Sequence, residues 1–567
     1  MMQNQSPPET SAEILPFSRL DMAFARFLSQ RANLNSTQKR TFEAIVSSLS
    51  YQHNQGHSCI VLDQERQALV LASGLAMTNP LQDTAVLPLV LEQDRLYLQR
   101  YWCYEDRLAQ TTQAIASHHQ VMKNGDELLD NYFGKQTDNT DWQREAARMA
   151  VQQRFSIITG GPGTGKTTTV VKILAVLQSL ATQPLHIALA APTGKAAMRL
   201  QESIGFNKIT LPCSDELKSH IPETVTTLHR LLGAKAASPY FKHNADHPLI
   251  YDLVVIDEAS MVDLALMSKL LDALKPSARL ILLGDKDQLA SVESGAVLAD
   301  LTQALPDHTV ELKTAHRFDD NIKQLALAVN QQDANLTWQL LNSGNENIQL
   351  LESDLIAYIA AQQMDYLRLI QQNKAFTEVY SAFTRFQVLC SNKEGKNSVS
   401  DINNRVEQKL AQQGQIRITG LWYIGRPVLV TQNNPLLHLY NGDIGLCLPD
   451  NTQNNRLMVY FQRPDGSIKS YLPSRISQCE TVFAMTIHKS QGSEFEEVLI
   501  VLPDNINPVL TKELLYTAIT RAKKTVKLLA DKAVLTATIQ QKVARVTGLV
   551  NKFCLDKANY TKKMNHD

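Results

Sequence analysis

The chain has 567 residues, and at about 100–200 residues per domain that length predicts about three to five compact units and excludes a single core. Its 44% hydrophobic and 20% charged content, with 23 Gly and 21 Pro, excludes collagen-like, low-complexity and wholly disordered classes. Lys+Arg and Asp+Glu both number 56, so a globally basic nucleic-acid binder or a polybasic membrane protein loses its simplest support, and any polyanion site has to be local.

The first 20 residues carry no basic run followed by an apolar stretch, and no later window approaches about 18 unbroken apolar residues, which predicts a cytoplasmic protein with no membrane span. The seven cysteines are scattered without a C-x-x-C pair, as suits a reducing compartment. Residues 1–140 mix short apolar runs with polar connectors and read as a helical or mixed domain. From about Trp142 the pattern changes to strongly apolar runs at 155–159, 185–191, 253–256 and 279–284, separated by helix-length amphipathic segments. That alternation predicts a doubly wound α/β domain over 141–315. A second α/β unit is expected over 316–416 and 475–567, with strands near 386, at 480–487 and at 498–502. Between its halves, 417–474 is dense in short strands and in turn signals such as Asn441-Gly442-Asp443 and Pro464-Asp465-Gly466, which predicts a small inserted β-barrel. The tail from 512 to 567 holds twelve Lys/Arg against four Asp/Glu, either a solvated helical surface or a polyanion contact.

Gly160-Gly161-Pro162-Gly163-Thr164-Gly165-Lys166-Thr167 is a complete G-x-x-x-x-G-K-[ST] pattern between a strand and a helix. In that context the glycines let successive backbone N–H groups wrap a β-phosphate, with Thr168 continuing the helix N-terminus that faces it. Lys166 supplies a point charge to the β/γ oxygens, and Thr167 offers its hydroxyl to Mg²⁺, so the site is read as one for a nucleoside triphosphate. Asp257 and Glu258 end the strand at 253–256. Because strand side chains alternate, the two acids can divide the work, Asp257 on Mg²⁺ and Glu258 on the attacking water. Gln288, after the strand at 279–284, can sense the γ-phosphate or position water. Arg317 and Arg521 carry the planar, always-charged fork that neutralises a transferring phosphoryl group.

Together these segments resemble the superfamily 1 helicases. The resemblance extends through Asp141-Trp142-Gln143-Arg144, Ala191-Pro192-Thr193-Gly194-Lys195, Thr227-Leu228-His229-Arg230 and Thr486-Ile487-His488-Lys489-Ser490-Gln491-Gly492-Ser493-Glu494. It implies two RecA-like P-loop motor domains enclosing the ATP site, with Gln143 reading adenine. The single-stranded DNA contacts it implies are Thr193, Lys195, His229, His488, Ser490 and Gln491. Structural roles stand beside those: Thr193 and Ser490 as helix caps, His229 and His488 as hydrogen-bonded core residues. Glu494 is placed either on the ribose or as a lock on its own loop. Tyr423, Phe461 and Tyr471 are candidates for base stacking or for the barrel core.

The segments Asp94 to Trp102, Trp422-Tyr423-Ile424-Gly425-Arg426-Pro427-Val428 and Tyr440-Asn441-Gly442-Asp443-Ile444-Gly445 narrow the resemblance to the RecD family, the alpha subunits of bacterial exodeoxyribonuclease V (RecBCD). That implies a 5′-to-3′ DNA motor for double-strand break repair and recombination, working on the 5′-ended strand with RecB and RecC. The N-terminal domain would face RecC, and 417–474 would be the family's SH3-like insertion. Alternatives are a stand-alone RecD-like helicase and an ATP-dependent DNA clamp that does not translocate. No second constellation of carboxylates with a lysine suggests a nuclease centre of its own.

Overall fold

Short runs that are apolar on both faces form parallel strands, and the amphipathic segments between them cover those faces as helices. The computed structural model of the chain describes residues 17–78, 86–118, 125–135, 140–235, 238–291, 293–313, 319–434, 436–450, 452–463 and 466–554. Among these, the strands group into four sheets. The N-terminal sheet contains β1 (Cys59–Val61), β2 (Ala76–Met77), β3 (Leu89–Glu92) and β4 (Arg95–Leu98) in the order β1-β4-β3-β2. Helices Arg19–Arg31 and Ser36–Asn54 pack on it, burying Ala25, Phe42 and Val46 with Leu89 and Leu96. Reciprocal capping boxes, Ser18 with Asp21 and Asn35 with Gln38, set where each helix begins. This is the mixed unit that the sequence predicts.

The next sheet holds β5 (Phe155–Thr159), β6 (Ile187–Ala191), β7 (Val225–Thr227), β8 (Leu253–Ile256), β9 (Arg279–Gly284) and β10 (Thr309–Glu311). Its order is β10-β5-β9-β8-β6-β7, and every pairing is parallel. Strands β5, β6 and β8 are buried along their whole length. Because β5, β9 and β8 are neighbours, the loops that follow them leave the same edge, where doubly wound sheets hold their ligands.

A second parallel sheet is built from β11 (Ile348–Leu350), β12 (Phe386–Cys390) and three strands from the far side of an insertion. The insertion is an antiparallel sheet of β13 (Pro427–Val430), β14 (Ile444–Asp450), β15 (Arg456–Gln462), β16 (Ile468–Tyr471) and β17 (Cys479–Thr481), ordered β16-β15-β14-β13-β17. The chain then returns through β18 (Ala484–Thr486), β19 (Phe495–Val501) and β20 (Ala522–Leu529), giving the order β11-β20-β19-β12-β18. The single strand expected at 480–487 is divided. Cys479 packs on the insertion's core, whereas Val482 and Phe483 belong to the core of the parallel sheet, so the backbone breaks where its side chains change partners. Of the turn signals, Pro464 and Asp465 lie outside the described residues.

Two connections bind the N-terminal unit to the rest. Helix Gln99–Ala116 leaves β4 and buries Leu108, Ala109 and Ile115 with Leu270 and Leu271 of the first parallel domain, beside an Arg107–Asp272 ion pair of 2.7 Å. After helix Lys532–Gln540 the chain crosses back. There Ser58 N donates to Val546 O at 3.1 Å, Lys552 pairs with Glu92 at 2.8 Å above the Trp102 ring, and Leu549 and Phe553 enter the first domain's core. Gly548 has to be glycine, since a Cβ there would stand 1.8 Å from the Tyr97 hydroxyl oxygen. No helix among the described residues is long and apolar enough to cross a membrane.

Glu105 lies at this crossing, fully buried, accepting from the Ser58 hydroxyl and from Gly548 N at 3.2 Å. Burial pushes its carboxyl from 4.5 up to about 7, with Ser58 and Lys552 opposing. A raised folded-state value means that the native state holds the proton more tightly than the unfolded chain, so stability falls as pH rises from about 4.5 through 7. Glu105→Gln keeps the acceptor and removes the charge. Its advantage over the unaltered chain in thermal midpoint should grow between pH 5 and 8, approaching on the order of 3 kcal/mol. A pH-independent difference would contradict this.

Candidate active site

β5 ends at Thr159, and the loop after it turns into helix Lys166–Leu180. Gly165 caps that helix at φ +82°, and a Cβ there would lie 2.5 Å from Gln143 Nε2, so the position demands glycine twice over. Asp141 caps the helix that carries Gln143, and Gln143 Nε2 donates to Thr164 O at 3.4 Å. Gln143 therefore flanks the loop. Thr164 Oγ1 donates to Gly161 O at 2.8 Å, and Lys166 Nζ donates to Gly160 O at 2.6 Å and Gly161 O at 3.0 Å. The ammonium sits inside the curve of its own loop, where the helix N-terminus adds a positive end.

At the end of β8, Glu258 N donates to Asp257 Oδ1 at 2.9 Å, and Glu258 itself has φ +51°. A carboxylate residue held in the left-handed region is a strained arrangement of the kind concentrated at functional sites. Burial and the neighbouring Glu258 push Asp257 up to about 6, and Lys166 opposes them. After β9, Asp285 is 2% exposed and accepts from Gln288 Nε2 at 3.0 Å and from Asp287 N at 3.0 Å. Burial raises Asp285 to about 6, again against the pull of Lys166. Lys166 is thus the shared counter-charge of two carboxylates on adjacent strands.

The second parallel domain faces this edge with helix Lys512–Ile519 and the residues after it. Arg521 is buried; its Nε donates to Thr517 O at 3.1 Å and its Nη1 to Ser493 O at 3.3 Å. Burial lowers its pKa, while the charge of Glu258, across the domain boundary, supports the cation. A cleft of about 310 Å³ opens between the two domains, lined by Gly161, Pro162 and Thr164 on one side and Ile322, Lys323 and Tyr516 on the other. Arg317 lies outside the described residues.

The other expected residues divide into two groups. Glu494 is taken up by Arg199 at 2.9 Å and Lys523 at 3.4 Å. Burial alone would raise its carboxyl, but those two cations hold it down to about 2. It is an ionic link between the domains, since Arg199 lies on helix Gly194–Ile209 of the first. Thr193 caps that helix, accepting from Ala196 N at 3.2 Å, and Ser490 is fully buried with its hydroxyl donating to Ile487 O at 2.7 Å. Gln491 Nε2 reaches across to Leu289 O at 3.2 Å. His488 is mostly enclosed, and burial lowers its pKa.

Lys195 and Arg230 lie beneath the insertion, whereas the His229 ring packs edge-on against Phe241 at 5.8 Å. Arg230 Nη2 donates to the Tyr440 hydroxyl at 3.0 Å, and Lys195 Nζ lies 3.5 Å from Gly442 O. Burial, then Arg199, lowers Lys195 to about 8. Tyr423, Phe461 and Tyr471 pack in cores, Tyr423 with its hydroxyl on Glu407 and Tyr471 on Leu437 O. Sequence reasoning passed over Asp285, Tyr516, Arg199 and Lys523. For Asp285 a signal existed, an acid directly after a buried strand; the others are defined only by contacts distant in sequence.

Three family models match the chain: an AAA domain over residues 143–294, a UvrD-like helicase C-terminal domain over 481–529, and the RecBCD enzyme subunit RecD, N-terminal domain, over 16–84. The chain is 39% identical over 469 residues to RecBCD enzyme subunit RecD of Mycolicibacterium smegmatis, which covers 80% of this chain and 82% of that protein. It is 36% identical over 528 residues to the RecBCD enzyme subunit RecD of Haemophilus influenzae, covering 82% of this chain and 81% of that protein. Among solved structures, Bacteroides Pif1 bound to ssDNA aligns with a TM-score of 0.40 and 18% identity, over 70% of this chain and 94% of that chain.

The loop geometry makes one substitution diagnostic. Gly165→Ala forces a side chain into a left-handed position and against Gln143, a strain of about 1–2 kcal/mol. The thermal midpoint should fall with that strain, and affinity for a fluorescent ATP analogue should fall roughly tenfold as the loop shifts to relieve it. Unchanged affinity would show that the loop does not hold nucleotide.

Proposed function

The chain belongs to the RecD family of RecBCD enzyme subunits, and from that premise we propose that it is an ATP-dependent, 5′-to-3′ single-stranded DNA translocase and helicase, the motor subunit of a complex with RecB and RecC. The observation that carries this reading is the phosphate loop of one parallel domain lying opposite Arg521 and helix Lys512–Ile519 of the other. ATP phosphates occupy the loop at Gly160 to Thr168, and Lys166 leaves its loop carbonyls for the β/γ oxygens. Gln143 flanks the loop on the adenine side. Thr167 and Asp257 offer hydroxyl and carboxylate oxygens, the hard donors Mg²⁺ takes; they would hold the ion, which would supply charge neutralisation to the phosphates. Glu258 polarises the attacking water, and Gln288 orients it. Arg521, with Arg317, neutralises the charge that develops on the transferring phosphoryl group. Because these groups come from two domains, hydrolysis is tied to closure, and closure to movement along DNA.

DNA runs past Lys195 and His229, with Thr193, His488, Ser490 and Gln491 shaping the track beside it. Phosphate contacts from donors of this kind give grip without strong base preference. The depressed Lys195 binds phosphate as a cation below about pH 8. The domains are assigned as 1–140 for docking, 141–315 and 316–416 with the chain after the insertion for the two motors, and 417–474 for the SH3-like insertion, extended to take in β17 at Cys479–Thr481, which pairs with β13. The docking domain exposes Leu20, Phe27, Val61 and Leu71, apolar surface suited to a permanent partner, which the family reading identifies as RecC. Nuclease chemistry is assigned to another subunit.

Lys166→Gln should leave folding intact and abolish DNA-stimulated ATP hydrolysis; near-normal turnover would refute the site. Co-purification of the tagged chain with RecB and RecC, followed by unwinding of tailed duplexes, tests the rest. Duplexes with a 5′ tail should be opened and those with only a 3′ tail should not. A chain that purifies alone and unwinds alone supports a stand-alone helicase, and one that hydrolyses ATP without displacing a strand supports a clamp.

A further inference from the structure

Three hydrogen bonds from the second motor domain close on the short loop after β9. The Tyr516 hydroxyl donates to Asp285 Oδ2 at 3.1 Å, Leu289 N donates to Thr517 Oγ1 at 2.9 Å, and Gln491 Nε2 donates to Leu289 O at 3.2 Å. Asp285 is the centre of that loop, since Oδ2 also accepts from Gln288 Nε2 and Oδ1 from Asp287 N. Tyr516 lies on helix Lys512–Ile519 and Arg521 two residues past its end, where Arg521 Nε donates back to Thr517 O. Tyr516 also touches the phosphate loop, because a Cβ on Gly161 would stand 3.1 Å from its hydroxyl oxygen.

A carboxylate only accepts hydrogen bonds, so Gln288 has to turn its NH₂ toward Asp285, and its carbonyl oxygen is left to accept from another group. An ionised Asp285 therefore determines which end of the Gln288 amide serves water. Burial and Asp285 push the Tyr516 hydroxyl well above its usual range, so it remains a donor at any working pH. We propose that Tyr516 is a positioning residue: by holding Asp285 from the second motor domain, it sets the Gln288 amide for water attack only when the two domains are closed. This rests on the ATPase reading above and extends it, making Gln288 the relay between closure and hydrolysis.

The test uses the full-length chain with single-stranded DNA. Tyr516→Phe keeps the ring and deletes the bond. Its kcat for ATP should fall roughly tenfold to a hundredfold, the cost of a misplaced reacting group, with KM and the affinity for a non-hydrolysable ATP analogue within about twofold of normal. Gln288→Ala should lower kcat in the unaltered chain and cause little further loss in the Tyr516→Phe background, since both act through one amide. A purely packing role predicts additive losses instead. Turnover of Tyr516→Phe within twofold of normal, or additivity with Gln288→Ala, overturns the proposal. Should Tyr516→Phe fail to fold, Asp285→Asn tests the same relay, because a neutral amide no longer dictates the Gln288 orientation; normal kcat there overturns it equally. Lys166→Gln separates the two levels: hydrolysis that depends on Lys166 but not on Tyr516 removes only this inference, and no Lys166-dependent hydrolysis removes both.

Discussion

The architecture depends on the solvation of one buried cation. Arg521 is 2% exposed, and withdrawing a guanidinium from water costs several kcal/mol unless its donors find acceptors and its charge finds opposite charge. Its own domain supplies the acceptors, the carbonyls of Thr517 and Ser493. Much of the opposing charge comes from the other domain, through Glu258 and Asp285 at the ends of β8 and β9. The arginine is therefore well placed only when the two sheets face each other. Glu494 reinforces the arrangement: it belongs to the second domain but pairs with Arg199 of the first as well as with Lys523 of its own. Closing the domains lowers the electrostatic cost of each buried charge, and that is the physical link between the nucleotide cleft and the relative position of the domains.

The same accounting explains how a chain of zero formal net charge can carry a polyanion track. The C-terminal excess of basic residues is spent largely on the protein itself. Lys523 meets Glu494, Lys524 meets Glu496, Lys552 meets Glu92, and Lys527 and Lys532 lie over the rings of Tyr358 and Trp338. Arg545 donates to the carbonyls of Ser291, Glu293 and Gly295. These intrachain pairings are a third arrangement, beside the solvated helical surface and the polyanion contact left open for the tail. Lys166 in its loop and Lys195 with Arg230 under the insertion occupy two confined places.

Legibility followed the range of the interaction. The phosphate loop is readable because its chemistry is written in consecutive residues: the strand, the glycines at positive φ and the lysine that opens the helix. The doubly wound sheets are readable because burial on both faces leaves continuous apolar runs. The break at Val482-Phe483 was not, since Val482 to Met485 is one unbroken apolar run and only tertiary partners show where the strand divides. Nor was the Tyr516–Asp285 bond, between residues 231 apart, where neither periodicity nor spacing marks a hydroxyl and a carboxylate as partners. Glu494 shows the intermediate case: its position in the motif was plain, but its pairing with Arg199 depends on how two domains pack.

The C-terminal crossing ties the three units to one another. The chain from Gln541 to Phe553 starts at the last helix of the second motor domain and ends in the core shared by the first motor domain and the N-terminal unit. Along the way Arg545 grips the loop at 291–295, Val546 pairs with Ser58 and His57, and Thr547 donates to Asp300. The loop at 291–295 follows directly on Leu289, the residue that Thr517 and Gln491 hold from the second motor domain. One short stretch of backbone is thus held by the nucleotide edge at one end and by the C-terminal strap at the other. That stretch therefore joins the second motor domain to the strap, and the N-terminal unit is anchored to the same strap through Glu92 and Glu105, so the three units share one set of contacts.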